Sequence, residues 1–134
     1  MLKLWKKKGN GGVALNIYLG LINMYLKFDK QDNTLVVYLI GELDHHSAEE
    51  VRVKIDDRID RDNIKSLIMN FKDVTFMDSS GIGVVIGRFK KLQGCSGKLG
   101  IVEVNNRVDK VFRLSGLYKI INSYENLEEA IRFI

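Results

Sequence analysis

Residues 66–71, SLIMNF, form a short apolar run with polar residues on both flanks. A strand of that kind suits cover on both faces, the situation inside a parallel sheet. Parallel neighbours must be joined by crossovers, and the flanking sequence supplies helices of the right length. Ahead of the run, Ala48, Val51, Ile55 and Ile59 recur at helical spacing. Ser47 with Glu50 three residues on reads as a capping box opening that helix, and DRDN closes it. Behind the run, Ile82, Val85, Ile86, Phe89 and Leu92 form the buried stripe of a second helix, stopped by QGCSGK. The segment between, KDVTFMDSS, reads as a loop, and Gly87 as a point of close helix–sheet packing.

The remaining elements extend the same alternation. Tyr25 to Lys30 and Thr34 to Gly41 read as a hairpin turned by KQDN. Lys98 to Val104 is a further strand. Val108, Val111 and Phe112 mark a third helix, with Gly116 beyond its end and Leu117 as the following apolar contact. YKIINSY is a last strand, and Asn126 with Glu129 opens a last helix burying Leu127, Ala130, Ile131 and Ile134. The order is ββαβαβαβα. It predicts a single α/β domain with a mixed, mostly parallel sheet of about five strands and about four helices.

Charge and cysteine content exclude several functions. Of 21 basic residues, Lys3, Lys6, Lys7 and Lys8 sit in the first 23 positions, which hold no acid. From Met24 onward 17 basic residues face 17 acidic ones, so the body lacks the basic footprint of a nucleic-acid binder and no direct DNA binding is expected. The run VALNIYLGLI is too short to span a bilayer, and Asn16 and the lack of an A-x-A site argue against a secretory leader. Residues 1–23 are therefore expected to be an extension outside the fold, with the domain at 24–134 and no membrane association. Cys95 is the only cysteine, which fits a reducing, cytoplasmic setting.

In a parallel sheet the loops leaving the strand C-termini share one edge, where sites on α/β folds gather. Here those loops are GELDHH, KDVTFMDSSG and NNR, which would bring Asp44, Ser79 and Asn105 near one another. Ser79 lies at the start of the second helix, where unpaired amides and partial positive charge favour a phosphate. A phosphorylation switch and a plain helix cap both fit the residue. Other chemistries find little support. His45 and His46 adjoin in a loop, but DSSG is not a G-x-S-x-G elbow. GIGVVIG puts its third glycine one place late for a dinucleotide fingerprint. No P-loop motif occurs, and one cysteine with two neighbouring histidines makes no metal set. No cofactor is expected.

Together, GELDHHSAEEVR, FMDSSGIGVVIGRFKKL and VFRLSGLYKII closely resemble the STAS-domain anti-anti-sigma factors, from about Met24 to the C-terminus. The pairing of D-S-S-G-[IL]-G with G-E-L-D marks the phosphorylatable branch; residues 1–23 have no counterpart there. The resemblance implies a regulator, not an enzyme. Unmodified, it binds an anti-sigma factor that is also a serine kinase, here of the anti-sigma F type, and so frees the sporulation sigma factor F. Phosphorylation of Ser79 abolishes binding, and a PP2C-type phosphatase restores it. ATP belongs to the kinase. Asp44, Asp78, Ser80, Gly81, Ile82 and Arg88 are expected on the docking surface, with Ser80 open to a capping or packing role. Two alternatives are a STAS module of a general stress partner-switching pathway and a small-ligand or nucleotide-binding domain built on the SSGIG helix end.

Overall fold

The computed structural model describes the backbone of residues 2–8 and 13–19 and the whole of residues 23–134. Within 24–134 the strands are β3 (Met24–Gln31), β4 (Thr34–Leu43), β5 (Ser66–Met77), β6 (Lys98–Val102) and β7 (Asn122–Tyr124). The helices are α1 (Ala48–Arg61), α2 (Ser79–Gln93), α3 (Asn106–Ser115) and α4 (Leu127–Phe133). β3 and β4 are antiparallel, while β4–β5, β5–β6 and β6–β7 are parallel. These five strands and four helices follow the expected order.

Two earlier strands, β1 (Leu2–Lys8) and β2 (Val13–Leu19), pair antiparallel with each other. β2 also pairs with β3, Leu19 opposite Tyr25 and Leu15 opposite Asp29, so the sheet runs β1 to β7 in chain order. The sequence pattern assigned no strand here. Residues 1, 9–12 and 20–22, part of the expected extension, lie outside the described residues.

Alternation along the strands builds two layers of core. Leu35, Val37, Leu39 and Leu43 of β4 and Leu67, Met69 and Phe71 of β5 face α1, α2 and α3. Val36, Ile68 and Val102 point the other way, onto Ala130 of α4. Phe112 closes the first layer edge-on to Phe71, with ring centroids 5.1 Å apart. SLIMNF is thus buried on both faces, as its composition predicted. Among the described residues no helix is long and apolar enough to cross a membrane.

Several expectations need correction. KDVTFM is strand rather than loop: β5 continues to Met77, following β4, with register shifts after Tyr38 and Gly41. Asn105 stabilises this irregular stretch by donating from Nδ2 to the carbonyls of Phe71, Lys72 and Val74. Ser47 makes no capping box. Its backbone is helical, so its hydroxyl instead donates to the Glu42 carbonyl at 2.8 Å. In α2 the deepest positions are Gly81, Val84, Val85, Arg88 and Leu92, while Ile82, Ile86 and Phe89 are half-buried. Nothing lies within 4 Å of a Cβ built on Gly87, so that glycine serves no close approach. Residues 117–119 form a 3-10 turn, which shortens the last strand to three residues. Ile131 is exposed. The end of α3 is as expected: Gly116 adopts φ 75° and Leu117 is buried. Asn126 also caps α4 as expected, accepting from the Glu129 amide at 2.8 Å.

Candidate functional site

The site is assembled where β4 and β5 end side by side. The parallel register pairs Glu42 with Phe76 and Leu43 with Met77, so the next residues, Asp44 and Asp78, leave the sheet as neighbours. The Asp78 amide donates to the Leu43 carbonyl at 3.4 Å. Across the same junction His45 Nδ1 lies 4.0 Å from Asp78 Oδ2. Two loops far apart in sequence thus form one surface.

Each aspartate has a structural task on that surface. Asp44 Oδ1 accepts from the amides of His46 at 2.9 Å and Ser47 at 3.2 Å, capping the turn that leads into α1. Asp78 is the N-cap of α2, its side chain accepting from the Ser80 amide at 2.8 Å. This removes the plain-cap reading of Ser79. The cap is Asp78, so Ser79 is the first helical residue and is not needed to satisfy the helix end. Ser79 is exposed, and among the described residues nothing hydrogen-bonds its hydroxyl. Ser80 is half-buried, with its amide engaged by Asp78.

The other expected residues divide by depth. Gly81 is buried, and a Cβ there would come 2.7 Å from Met77 Cγ, so it lets α2 start close to the end of β5. Ile82 is half-buried against the core. Arg88 lies elsewhere: it is 5% exposed, with Nε 2.8 Å from Asp56 Oδ1 on α1. That ion pair is not aligned as a hydrogen bond, and Nη1 has no hydrogen-bonding partner among the described residues. Burial lowers the guanidinium pKa, and Asp56 opposes the shift. Arg88 therefore joins α1 to α2 inside the protein, and its burial removes it from a docking surface.

This pairing predicts an asymmetry. Asp56→Asn leaves a buried cation with no carboxylate against it and should cost about 2 kcal/mol. Arg88→Met should stay within about 1 kcal/mol of the unaltered chain, because Asp56 keeps Arg52 at 3.5 Å. Urea unfolding of both variants checks the order; Arg88→Met proving the costlier would refute it.

Asn105 does not join Ser79. It is tied to the carbonyls of residues 71–74, and β5 runs on for about 10 Å between Val74 and Met77. The expected meeting took the strand to end at Phe71 with KDVTFMDSS as loop, whereas β5 runs on to Met77. Phe76, by contrast, was missed. It is a large apolar residue 45% exposed, two positions before the Asp78 cap. Its outward direction follows from strand pairing, so a reading of 72–78 as loop had no signal for it. Among the described residues no group of three or more His, Cys, Asp or Glu could hold a metal.

Comparison with known proteins gives a consistent picture. The family model described as the STAS domain matches residues 25–130. An anti-sigma F factor antagonist from Paenibacillus polymyxa is 36% identical over 110 residues, covering 82% of this chain and 94% of the relative. The structure of the anti-sigma factor antagonist SpoIIAA in its unphosphorylated form superposes with a TM-score of 0.70 at 37% identity, covering 79% of this chain and 92% of that one. The Bacillus cell fate determinant SpoIIAA in its phosphorylated form gives a TM-score of 0.63 at 36% identity, covering 80% and 96%.

Proposed function

The chain belongs to the STAS-domain family of anti-sigma factor antagonists, and we propose that it is switched by phosphorylation of Ser79. In this reading the unmodified form docks on an anti-sigma factor that is also a serine kinase, of the anti-sigma F type, and so releases the sporulation sigma factor F. The kinase then modifies Ser79 and the complex parts. A PP2C-type phosphatase returns the chain to its binding form. The chain is a substrate and a binding partner in this cycle and catalyses nothing itself. The working unit is the domain at 24–134, acting in the cytoplasm, with residues 1–23 as an addition to it.

The observation that carries this reading is an exposed hydroxyl at the first position of α2, left free because Asp78 does the capping. A phosphoryl group there would lie against the α2 N-terminus, where the helix dipole favours negative charge. The domain can therefore hold the modification without unfolding. The partner would meet something different: a dianion added beside Asp78, with Asp44 on the adjoining loop. Like charge and desolvation both oppose docking of that surface. Asp44, Asp78 and Ser80, half-buried around Ser79, form the proposed contact set, with Phe76 as its apolar member and Gly81 and Ile82 supporting from below. The likeness to a protein solved in both unphosphorylated and phosphorylated forms supports the same cycle.

The direct test is incubation with the anti-sigma kinase of the same genome and ATP, followed by intact-mass measurement. One phosphoryl addition is expected, located at Ser79 by peptide mapping. Modification at another residue, or none while a complex forms, would overturn the assignment.

A further inference from the structure

β6 and β7 are parallel neighbours, Val102 opposite Tyr124, yet the chain leaves their ends in opposite directions. After β6 it enters α3, whose Val108 and Phe112 belong to the core layer beneath α1 and α2. After β7 it enters α4, whose Ala130 packs on the other face. Where adjacent parallel strands send their helices to opposite faces, a crevice opens beyond the strand ends, and ligands of open α/β sheets bind in such crevices. Here the crevice is a cavity of about 800 Å³, within the range of small-molecule sites. The Ser79 surface is built instead at the ends of β4 and β5.

The lining has a definite charge. Glu103, Asp109 and Glu125 line the cavity against one cation, Arg113. Asp109 accepts from Arg113 Nε at 2.7 Å, so the charge left over is that of Glu103 and Glu125, one beyond each strand. Glu103 is held from behind. Asn70, 4% exposed, donates from Nδ2 to Glu103 Oε2 at 2.6 Å, and its own Oδ1 accepts from the Lys72 amide at 2.9 Å. Glu103 also adopts φ 53°, a left-handed conformation of the kind that recurs at ligand clamps. Aromatic rings complete the walls. Tyr124 lies on Gly100, where a Cβ would come 3.0 Å from its Cε2. Tyr118 already carries a cation on its face, with Arg113 5.5 Å from the ring centroid.

We propose that this crevice binds a small aliphatic polyamine, with one ammonium group on Glu103 and another toward Glu125. Charge sets the sign of the ligand: the one cation in the lining is committed to Asp109, so a phosphate or nucleotide would meet two carboxylates and no partner. Among the described residues no group of three or more His, Cys, Asp or Glu could hold a metal, so the acids of the lining do not converge on one ion. Ammonium groups spaced along a chain suit them instead. A lysine presented by a protein partner would bring one charge and leave the second carboxylate unanswered. The inference stands apart from the proposed function, and its test needs no kinase.

That test is an NMR titration of the full chain with spermidine at about 0.15 M salt, where non-specific charge attraction is screened. Amide shifts at residues 103, 118, 124 and 125 should saturate as one site. Glu103→Gln, which keeps an acceptor for Asn70, and Glu125→Gln should each weaken binding about tenfold. Asp57→Asn, which removes an exposed acid of α1 paired with Arg61, should leave it unchanged. Thermal melts check the fold of each variant; Glu125 is exposed, so its variant decides alone if Glu103→Gln unfolds. Shifts that do not saturate, or affinity unchanged in the folded glutamate variants, overturn the proposal. The same amides responding to magnesium chloride or to AMP would assign the crevice to a simple ion or to a nucleotide and overturn it too.

Discussion

Ser79→Asp is expected to fold like the unaltered chain and to bind the anti-sigma kinase about a hundredfold more weakly, a loss of roughly 2.7 kcal/mol. A carboxylate at the first position of α2 is favourable for the helix, by about 0.3–1 kcal/mol, so thermal stability should be equal or slightly higher. The same charge at the interface is unfavourable, since it adds to Asp78 and Asp44 in a surface that docking must dehydrate. Phosphoserine, with nearly twice the charge, should go further, toward the roughly 10⁴-fold difference that full switching requires. Ser79→Ala completes the comparison: no phosphate, with affinity retained. Calorimetric or fluorescence titration gives the affinities and a thermal melt gives the stabilities. Ser79→Asp binding as tightly as the unaltered chain would refute charge exclusion even if Ser79 is the phosphorylated residue.

Gly41→Ala should have the largest effect on stability of any single methyl addition to the described residues. Gly41 adopts φ +114°, a conformation that L side chains rarely take. A Cβ there would come 2.1 Å from the backbone carbonyl oxygen of Asn23, which cannot turn aside as a side chain could. That carbonyl also accepts from the Glu42 amide at 2.8 Å, so relieving the clash breaks a hydrogen bond at the same point. Strain and overpacking together should cost about 3 kcal/mol or more, a large part of the roughly 5–15 kcal/mol that holds a domain folded. A urea midpoint shifted by less than 1 kcal/mol equivalent would show that β4 can straighten there. Function is involved as well, because the register shift after Gly41 helps bring Leu43 opposite Met77 and sets the two acidic loops side by side. Gly41 is the glycine of GELD, so that motif has a backbone reason alongside its chemical one.

Residue patterns were informative where one physical demand dominated. SLIMNF reads as doubly covered because β5 is buried on both faces there. Gly116 and Leu117 read as a helix end because only a left-handed residue and an apolar contact make that turn. The misreadings share a cause. Residues 72–77 carry charged side chains and no clear alternation, so their strand character comes from β4 beside them and from Asn105, more than thirty positions away. Asn105 was placed too near Ser79, and Phe76 was overlooked, for that one reason. Arg88 shows a different limit. An arginine on a helix is usually solvated, and only the approach of α1, bringing Asp56 to 2.8 Å, makes it an internal tie.

Residue order alone was enough to establish the alternating α/β architecture, the neutral body and a serine at the start of a helix. These depend on periodicity, composition and local backbone preference, which act within a few positions of chain. The Asp78 cap of α2 is local too, two residues from the amide it accepts from. Tertiary contact was needed to set the Asp44 loop beside Asp78 and to take Arg88 inside against Asp56. Those outcomes depend on which carbonyl, amide or carboxylate arrives from a distant segment, and strand register and helix packing control that arrival.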